Sequence, residues 1–273
     1  MTCPRVLILG GQGRIGSRVA QDIVYHTTAH VVVTQRRKIA ATGNAAGLPT
    51  DRATAISLDL ADRDALQQAI AQADLVIHCA GPFHHRDGRV LDTCIQQGVN
   101  YLDVSDCVPF TQRALARHDA AQAAGVTAII NSGVFPGLSN ALVRQCVEAF
   151  DGVGDEPSDI FLGYVVGGSG GAGVTVLRTT FLGLLNPFNA WIGGQWQQRW
   201  PYRDRQIITF PPPFGAVGVY WYEVPETLTL VNSFPVQSVV TKFGSAPDLY
   251  NRLTGLVARW CPSALLKQPQ ADA

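Results

Sequence analysis

Charge is scarce in this chain of 273 residues: Asp, Glu, Lys and Arg make up 15% of it, and 21 basic residues are balanced by 21 acidic ones. A formal net charge of zero removes the electrostatic basis for nucleic acid, or an anionic membrane surface, as the main partner. Long apolar runs are missing too. The longest candidate, Gly125 to Val143, is broken by Asn131, Ser132, Gly133, Pro136 and Gly137, so no integral membrane segment is expected. The six cysteines (Cys3, Cys79, Cys94, Cys107, Cys146 and Cys261) form no Cys-x-x-Cys and no paired Cys/His ligand spacing. That argues against a metal site and for buried thiols in a reducing compartment. Met1-Thr-Cys-Pro4 leads almost directly into an apolar segment, with no room for a leader peptide, and a cytoplasmic protein is expected. With 47% hydrophobic residues and a mean hydropathy of +0.10, the chain has the material for a well-buried core.

What is present begins at the N-terminus. Val6-Leu-Ile-Leu9 reads as a buried strand, Gly11, Gly13 and Gly16 follow at G-x-G-x-x-G spacing, and an apolar stripe of helical period (Ile15, Val19, Ala20, Ile23, Val24) starts at once. In that strand-then-helix context the glycines point to a dinucleotide-binding turn, whose backbone approaches the pyrophosphate while the helix N-terminus offers N–H groups to it. Gly10, Gly11, Gln12, Gly13, Arg14, Ile15 and Gly16 are the candidate cofactor contacts there.

Further strands are expected at Val31–Val33, Ala55–Leu58, Leu75–Ile77, Tyr101–Val104 and Val126–Ile130. They alternate with helices at Asp62–Ala73, Arg89–Gln97 and Phe110–Ala124. This alternation predicts an α/β fold: a Rossmann-type parallel sheet over residues 1–150. The Gly/Pro/acidic stretch Asp151–Pro157 suits a linker. Residues 151–273 hold all five tryptophans, and strands expected at Ile160–Val166, Ile207–Phe210, Val217–Tyr222 and Val236–Thr241 lack regular intervening helices. They read as an α+β substrate or dimerisation domain with a mixed or antiparallel sheet and few helices. The cluster Trp191, Trp196, Trp200, Pro201 and Tyr202 is expected to pack that domain or an oligomer interface.

The second strand ends Thr34-Gln35-Arg36-Arg37-Lys38, without the acid that grips a ribose 2′-hydroxyl in NAD-binding turns. Arg36 and Arg37 suit a 2′-phosphate, which favours NADP over NAD. Asp59 either accepts from the adenine amino group or caps the next helix, a role for which Asp62 competes. Ala80 and Gly81 are small enough for the ribose and nicotinamide to approach the end of the fourth strand. Beyond the fourth and fifth strands lie His84, His85, Tyr101, Ser105 and Asp106. Among these His84 and Asp106 are the candidates for proton handling and Ser105 for a hydrogen bond to substrate. The run Gly167–Gly173, centred on Gly170, is either a second anion-binding loop or a flexible connection.

Gly10–Gly16, Ala80-Gly-Pro-Phe83, Asn100-Tyr-Leu-Asp-Val-Ser-Asp106 and Gly133-Val-Phe-Pro-Gly-Leu-Ser139, in this order and spacing, resemble the saccharopine dehydrogenase-like oxidoreductases. The resemblance implies an NADP-binding Rossmann domain followed by a domain with substrate and dimer contacts. It also implies hydride transfer to or from a C=N or C=O bond of a small molecule, of the imine/amine type. A homodimer through the second domain would follow. Two departures stand out. The family runs longer, so a C-terminally truncated substrate domain is one expectation, and the second half offers few cations for a dicarboxylate-like substrate, mainly Arg178, Arg199, Arg203 and Arg205. A short-chain dehydrogenase is disfavoured because no tyrosine carries Lys four residues on. An enoyl reductase-like enzyme of the same superfamily and a nonenzymatic NADP-binding sensor or assembly protein are the alternatives.

Overall fold

The computed structural model describes residues 3–35, 47–49, 51–151, 158–167, 183–184 and 186–260. The chain divides into two compact units, Met1–Val134 and Phe135–Ala273. That division lies upstream of the Gly/Pro/acidic stretch at Asp151–Pro157.

The first unit alternates as its sequence implies. Its elements are β1 (Arg5–Leu9), α1 (Arg14–His26), β2 (His30–Gln35), β3 (Ala53–Ser57), α2 (Arg63–Ile70) and β4 (Leu75–His78), then a single 3₁₀ turn (Phe83–His85), α3 (Arg89–Gln97), β5 (Asn100–Asp103), α4 (Val108–Leu115), α5 (His118–Ala123) and β6 (Ala128–Ile129). All six strands are parallel, in the order β3-β2-β1-β4-β5-β6. This is the doubly wound order that places a ligand crevice beyond the strand ends.

Successive residues of β1 serve opposite cores, which is why the strand reads as one unbroken apolar run. Leu7 and Leu9 pack with Val76, Leu66, Ile70 and Leu91, and Val6 and Ile8 with Val31, Val33, Ile77, Ala20 and Val24. Asp62, not Asp59, caps α2: its Oδ1 accepts the Ala65 N–H at 3.0 Å.

The single helix expected over Phe110–Ala124 is two. The chain tightens at Ala116–Arg117, where the Arg117 N–H reaches the Ala114 carbonyl at 3.0 Å. The Arg117 guanidinium pairs with Asp92 of α3 (Nε–Oδ1 2.7 Å). A short i→i−3 closure of this kind ends one helix and starts the next.

In the second unit a helix (Leu138–Asp151) precedes β7 (Asp159–Gly167), β8 (Phe188–Ile192), β9 (Gln195–Arg199), β10 (Gln206–Phe210) and β11 (Gly215–Trp221). A helix (Glu226–Ser233), β12 (Ser238–Ala246) and a last helix (Asp248–Trp260) follow. The sheet is mixed. It runs β10-β11-β12-β8-β9 with antiparallel neighbours, and β7 lies parallel to β12 along nine residue pairs. Two of the described helices pack on the sheet in one core, which Val143 and Leu230 share with the strand residues Ile160 and Val239.

Thiol burial is uneven. Cys94 and Cys107 are buried, but Cys3 and Cys146 are exposed, against the expectation of buried thiols. Cys3 precedes the sheet, and Cys146 sits on the outer side of its helix. Trp191 donates its indole N–H to the Val236 carbonyl at 2.9 Å, whereas Trp196 and Trp200 are about half exposed (46% and 48%). Among the described residues no helix is long and apolar enough to cross a membrane, and no His/Cys/Asp/Glu group could hold a metal.

Candidate dinucleotide site

The turn between β1 and α1 is built for close approach. A Cβ on Gly16 would stand 2.4 Å from the Gly10 carbonyl oxygen, and one on Gly11 would stand 2.6 Å from the Val33 Cβ of β2. Gly10 has φ +73° and lies against the end of β4, where an added Cβ would meet the Ala80 Cα at 2.9 Å. Side chains are therefore excluded at three points that lock β1, β2, β4 and α1 together. Gly13 is looser, with its nearest atom at 3.1 Å.

The Gly10 N–H is taken by Thr34 Oγ1 (3.1 Å), a hydroxyl buried inside the apolar run of β2. Gln12, Gly13, Arg14 and Ile15 form the exposed rim. Helix α1 starts there with no side-chain cap and no acid in its first turn. Such a helix start, open to solvent and free of competing carboxylates, fits the pyrophosphate of a dinucleotide.

At the end of β4 the backbone is anchored from both sides. The Ala80 carbonyl accepts from Arg86 Nε at 2.8 Å, and its N–H points to His78 Nδ1 at 3.4 Å. His78 is 1% exposed and lies edge-on to Phe83, with ring centroids 5.0 Å apart. Burial, helped by the Arg86 charge, lowers its pKa from 6.5 to about 3, so the ring is neutral at physiological pH. Ala80 and Gly81 are half-buried.

His84 follows in the 3₁₀ turn, half-buried, with a buried Nδ1 that has no hydrogen-bond partner among the described residues. Asp106, in the loop after β5, is reached by solvent yet crowded by surrounding atoms, and this crowding raises its carboxyl pKa. The two groups are electrostatically coupled. Burial lowers the His84 pKa against the pull of Asp106, with a further lowering from His85, and His84 in turn holds the Asp106 pKa down. The two residues considered for proton handling thus lie near enough to influence each other's charge.

Ser105 is buried (1% exposed), and its Oγ accepts the Cys107 N–H at 3.3 Å, ahead of α4. Asp59 is exposed and accepts the Ala61 N–H at 2.9 Å, beside the end of β3. Arg36, Arg37, Gly170 and Arg178 lie outside the described residues.

Sequence reasoning did not single out Thr34, His78, Asp103 and Asn131, which are buried at or next to the strand ends. A polar residue ending an otherwise apolar strand (Leu75-Val-Ile-His78) or embedded in one (His30-Val-Val-Val-Thr34) was the available signal. A groove of about 350 Å³ between α3, α4, α5 and β6 shares no residue with the glycine turn or with the loops after β4 and β5.

Residues 6–129 match the family described as "Saccharopine dehydrogenase NADP binding domain". A probable mitochondrial saccharopine dehydrogenase-like oxidoreductase of Arabidopsis thaliana is 32% identical over 78 residues, which is 28% of this chain and 17% of that protein. Among solved structures, apo saccharopine dehydrogenase (L-Glu forming) from Saccharomyces cerevisiae superposes with a TM-score of 0.68 at 19% identity. That superposition covers 93% of this chain and 57% of the yeast chain, so the protein spans a little over half the length of the enzyme whose fold it shares. The glycine turn, the parallel sheet order and the match to the saccharopine dehydrogenase NADP-binding family all fall on the same segment, residues 6–129.

Proposed function

We propose that the protein is an NADP-dependent oxidoreductase that moves a hydride to or from a C=N or C=O bond of a small molecule, of the imine/amine type. The observation that carries this reading is the glycine cradle, where added Cβ atoms on Gly10, Gly11 and Gly16 would stand 2.4–2.9 Å from their neighbours at the carboxyl edge of the sheet. Such a space, closed to side chains and open to solvent along Gln12–Ile15, fits a pyrophosphate. NADPH, when bound, supplies the hydride.

The chain's own residues do the rest. The turn and the first amides of α1 hold the phosphates, and Arg36 and Arg37 are the residues proposed to grip the 2′-phosphate. Ala80 and Gly81 leave the crevice wall low, and Arg86 fixes the Ala80 carbonyl. His84, kept neutral by burial, is able to take a proton from a substrate nitrogen or oxygen, with Asp106 stabilising the resulting imidazolium.

Fluorescence titration with NADPH and NADH tests the reading. NADPH binding tighter by about tenfold or more, with the preference lost in Arg36→Ala, is the expected result. Equal affinity for the two cofactors would refute the assignment of Arg36 and Arg37. No binding of either would refute the cofactor role itself.

A further inference from the structure

We propose that the buried bridge between Asp103 and Asn131 positions the nicotinamide half of the dinucleotide site, by clamping the loop that leaves β5 to the loop that leaves β6. The inference rests on the cofactor reading above.

A doubly wound sheet consists of two mononucleotide-binding halves. Here β1–β3 form one, with the glycine turn at its edge, and β4–β6 form the other. The nicotinamide side is therefore bordered by the loops after β4, β5 and β6, and the second of these carries Asp106. Strand pairing alone does little to hold those loops, because β5 and β6 are matched at only two positions, Tyr101↔Ala128 and Leu102↔Ile129.

Side chains take over where the ladder stops. Asp103, 0% exposed, accepts three hydrogen bonds: Oδ1 from the N–H of Ser105 (2.9 Å) and of Asn131 (2.9 Å), and Oδ2 from the Tyr101 hydroxyl (3.0 Å). Asn131 returns the connection, its Nδ2 donating to the Ser105 carbonyl (2.8 Å) and to Thr111 Oγ1 (2.9 Å) in α4. The Ser132 N–H adds a bond to the Asp103 carbonyl at 2.8 Å.

Asn131 has φ +58°, a left-handed conformation that asparagine tolerates better than most residues, and in it the backbone N–H and the side-chain amide both bond the loop after β5. A buried carboxylate is costly unless its acceptors are filled. The network meets that cost at the carboxyl end of β5 and β6, the border of one half-site. The adenine half depends instead on glycine packing.

The test compares two ligands. NADPH spans both halves of the site, whereas adenosine 2′,5′-bisphosphate occupies only the adenine half. Asp103→Ala should weaken NADPH binding about tenfold or more, while the bisphosphate stays within about twofold of wild type. Asp103→Asn should restore NADPH binding to within about threefold: its Oδ1 still accepts both amides, and its Nδ2 can donate to the Tyr101 oxygen with that hydroxyl reversed. Asn131→Gly keeps the left-handed backbone and the N–H to Asp103 but loses both Nδ2 bonds. It should show the same selective loss, and it serves if Asp103→Ala does not fold.

NADPH affinity unchanged in Asp103→Ala and Asn131→Gly, or both ligands lost in proportion, would overturn the proposal. Wild-type protein that binds neither ligand refutes the cofactor reading and this proposal with it, an outcome distinct from wild-type binding that the variants leave intact.

Discussion

Acidification should destabilise the first unit most strongly through His78, with His84, whose pKa burial also lowers, acting in the same sense. An imidazole that titrates at 6.5 when unfolded and at about 3 when folded binds a proton first in the unfolded chain. Between those two values the unfolded state holds more protons, so stability rises with pH, is complete above about pH 7 and is lost as pH falls through 6.5 toward 3. Going from pH 8 to pH 5, the linkage relation gives a loss of about 2 kcal/mol from His78 alone. Because pH 5 lies well above the folded value, that figure is set almost wholly by the unfolded imidazole.

The perturbation is His78→Gln, which removes the titrating group and keeps an acceptor for the Ala80 N–H. The quantity measured is the difference between wild type and variant, in which contributions from His84, Asp103 and Asp106 cancel. Tryptophan emission is the wrong probe, since all five tryptophans lie at 191 or beyond. Pulse proteolysis in urea, scored on peptides from β1, β4 and β5, reads the unit that matters. Wild type should lose about 2 kcal/mol more than His78→Gln between pH 8 and pH 5. Parallel losses in the two proteins, or an imidazole NMR titration of His78 near 6, would refute the argument.

The glycine turn makes a graded prediction. Gly16→Ala, whose Cβ would meet a backbone oxygen at 2.4 Å, should cost about 1–3 kcal/mol and abolish NADPH binding. Gly13→Ala, with its nearest protein atom at 3.1 Å, should cost under about 1 kcal/mol of stability yet weaken NADPH binding, because Gly13 lies on the rim that faces the pyrophosphate. Thermal melts and NADPH titrations of the pair check this, and equal effects would show that the turn is not limited by close approach. In the second unit Glu226 is fully buried and accepts from Ser139 Oγ (2.7 Å) and the Tyr164 hydroxyl (2.8 Å). Glu226→Ala should cost at least about 2 kcal/mol by stranding both hydroxyls, and Tyr164→Phe about 1 kcal/mol. Here tryptophan emission during urea unfolding is the right probe, and a larger loss for Tyr164→Phe would reverse the assignment of the cost.

What could be read ahead of the structure was what neighbouring residues decide. The parallel sheet followed from apolar strands alternating with amphipathic helices, and the glycine turn from a strand, a spacing and a helix start within a dozen residues. The hairpin β8–β9 went unread because Gln195-Trp-Gln-Gln-Arg199 is polar and lies at the sheet edge. Its signal was Gly193-Gly194, both with positive φ (59° and 74°), the pair that a tight two-residue hairpin turn favours. The helix Leu138–Asp151 was obscured in another way. It buries Val143 but exposes Leu138, Leu142 and Phe150, so no single apolar stripe stands out.

The candidate site was half legible for a related reason. His84 and Asp106 stand beyond strand ends, where sequence order alone predicts the crevice. Asp103 reads as a polar residue within a strand, and its neighbours Tyr101 and Ser105 supply only part of the network that lets it be buried. Its partner Asn131 is 28 positions away, held left-handed by the bond it makes. A buried polar network is a property of the pairing and not of either segment, so the segments could be read correctly and the link between them still missed. Hence the rim of this site calls for ligand-selective measurements on Asp103 and Asn131, residues whose roles become visible only when β5 and β6 lie side by side.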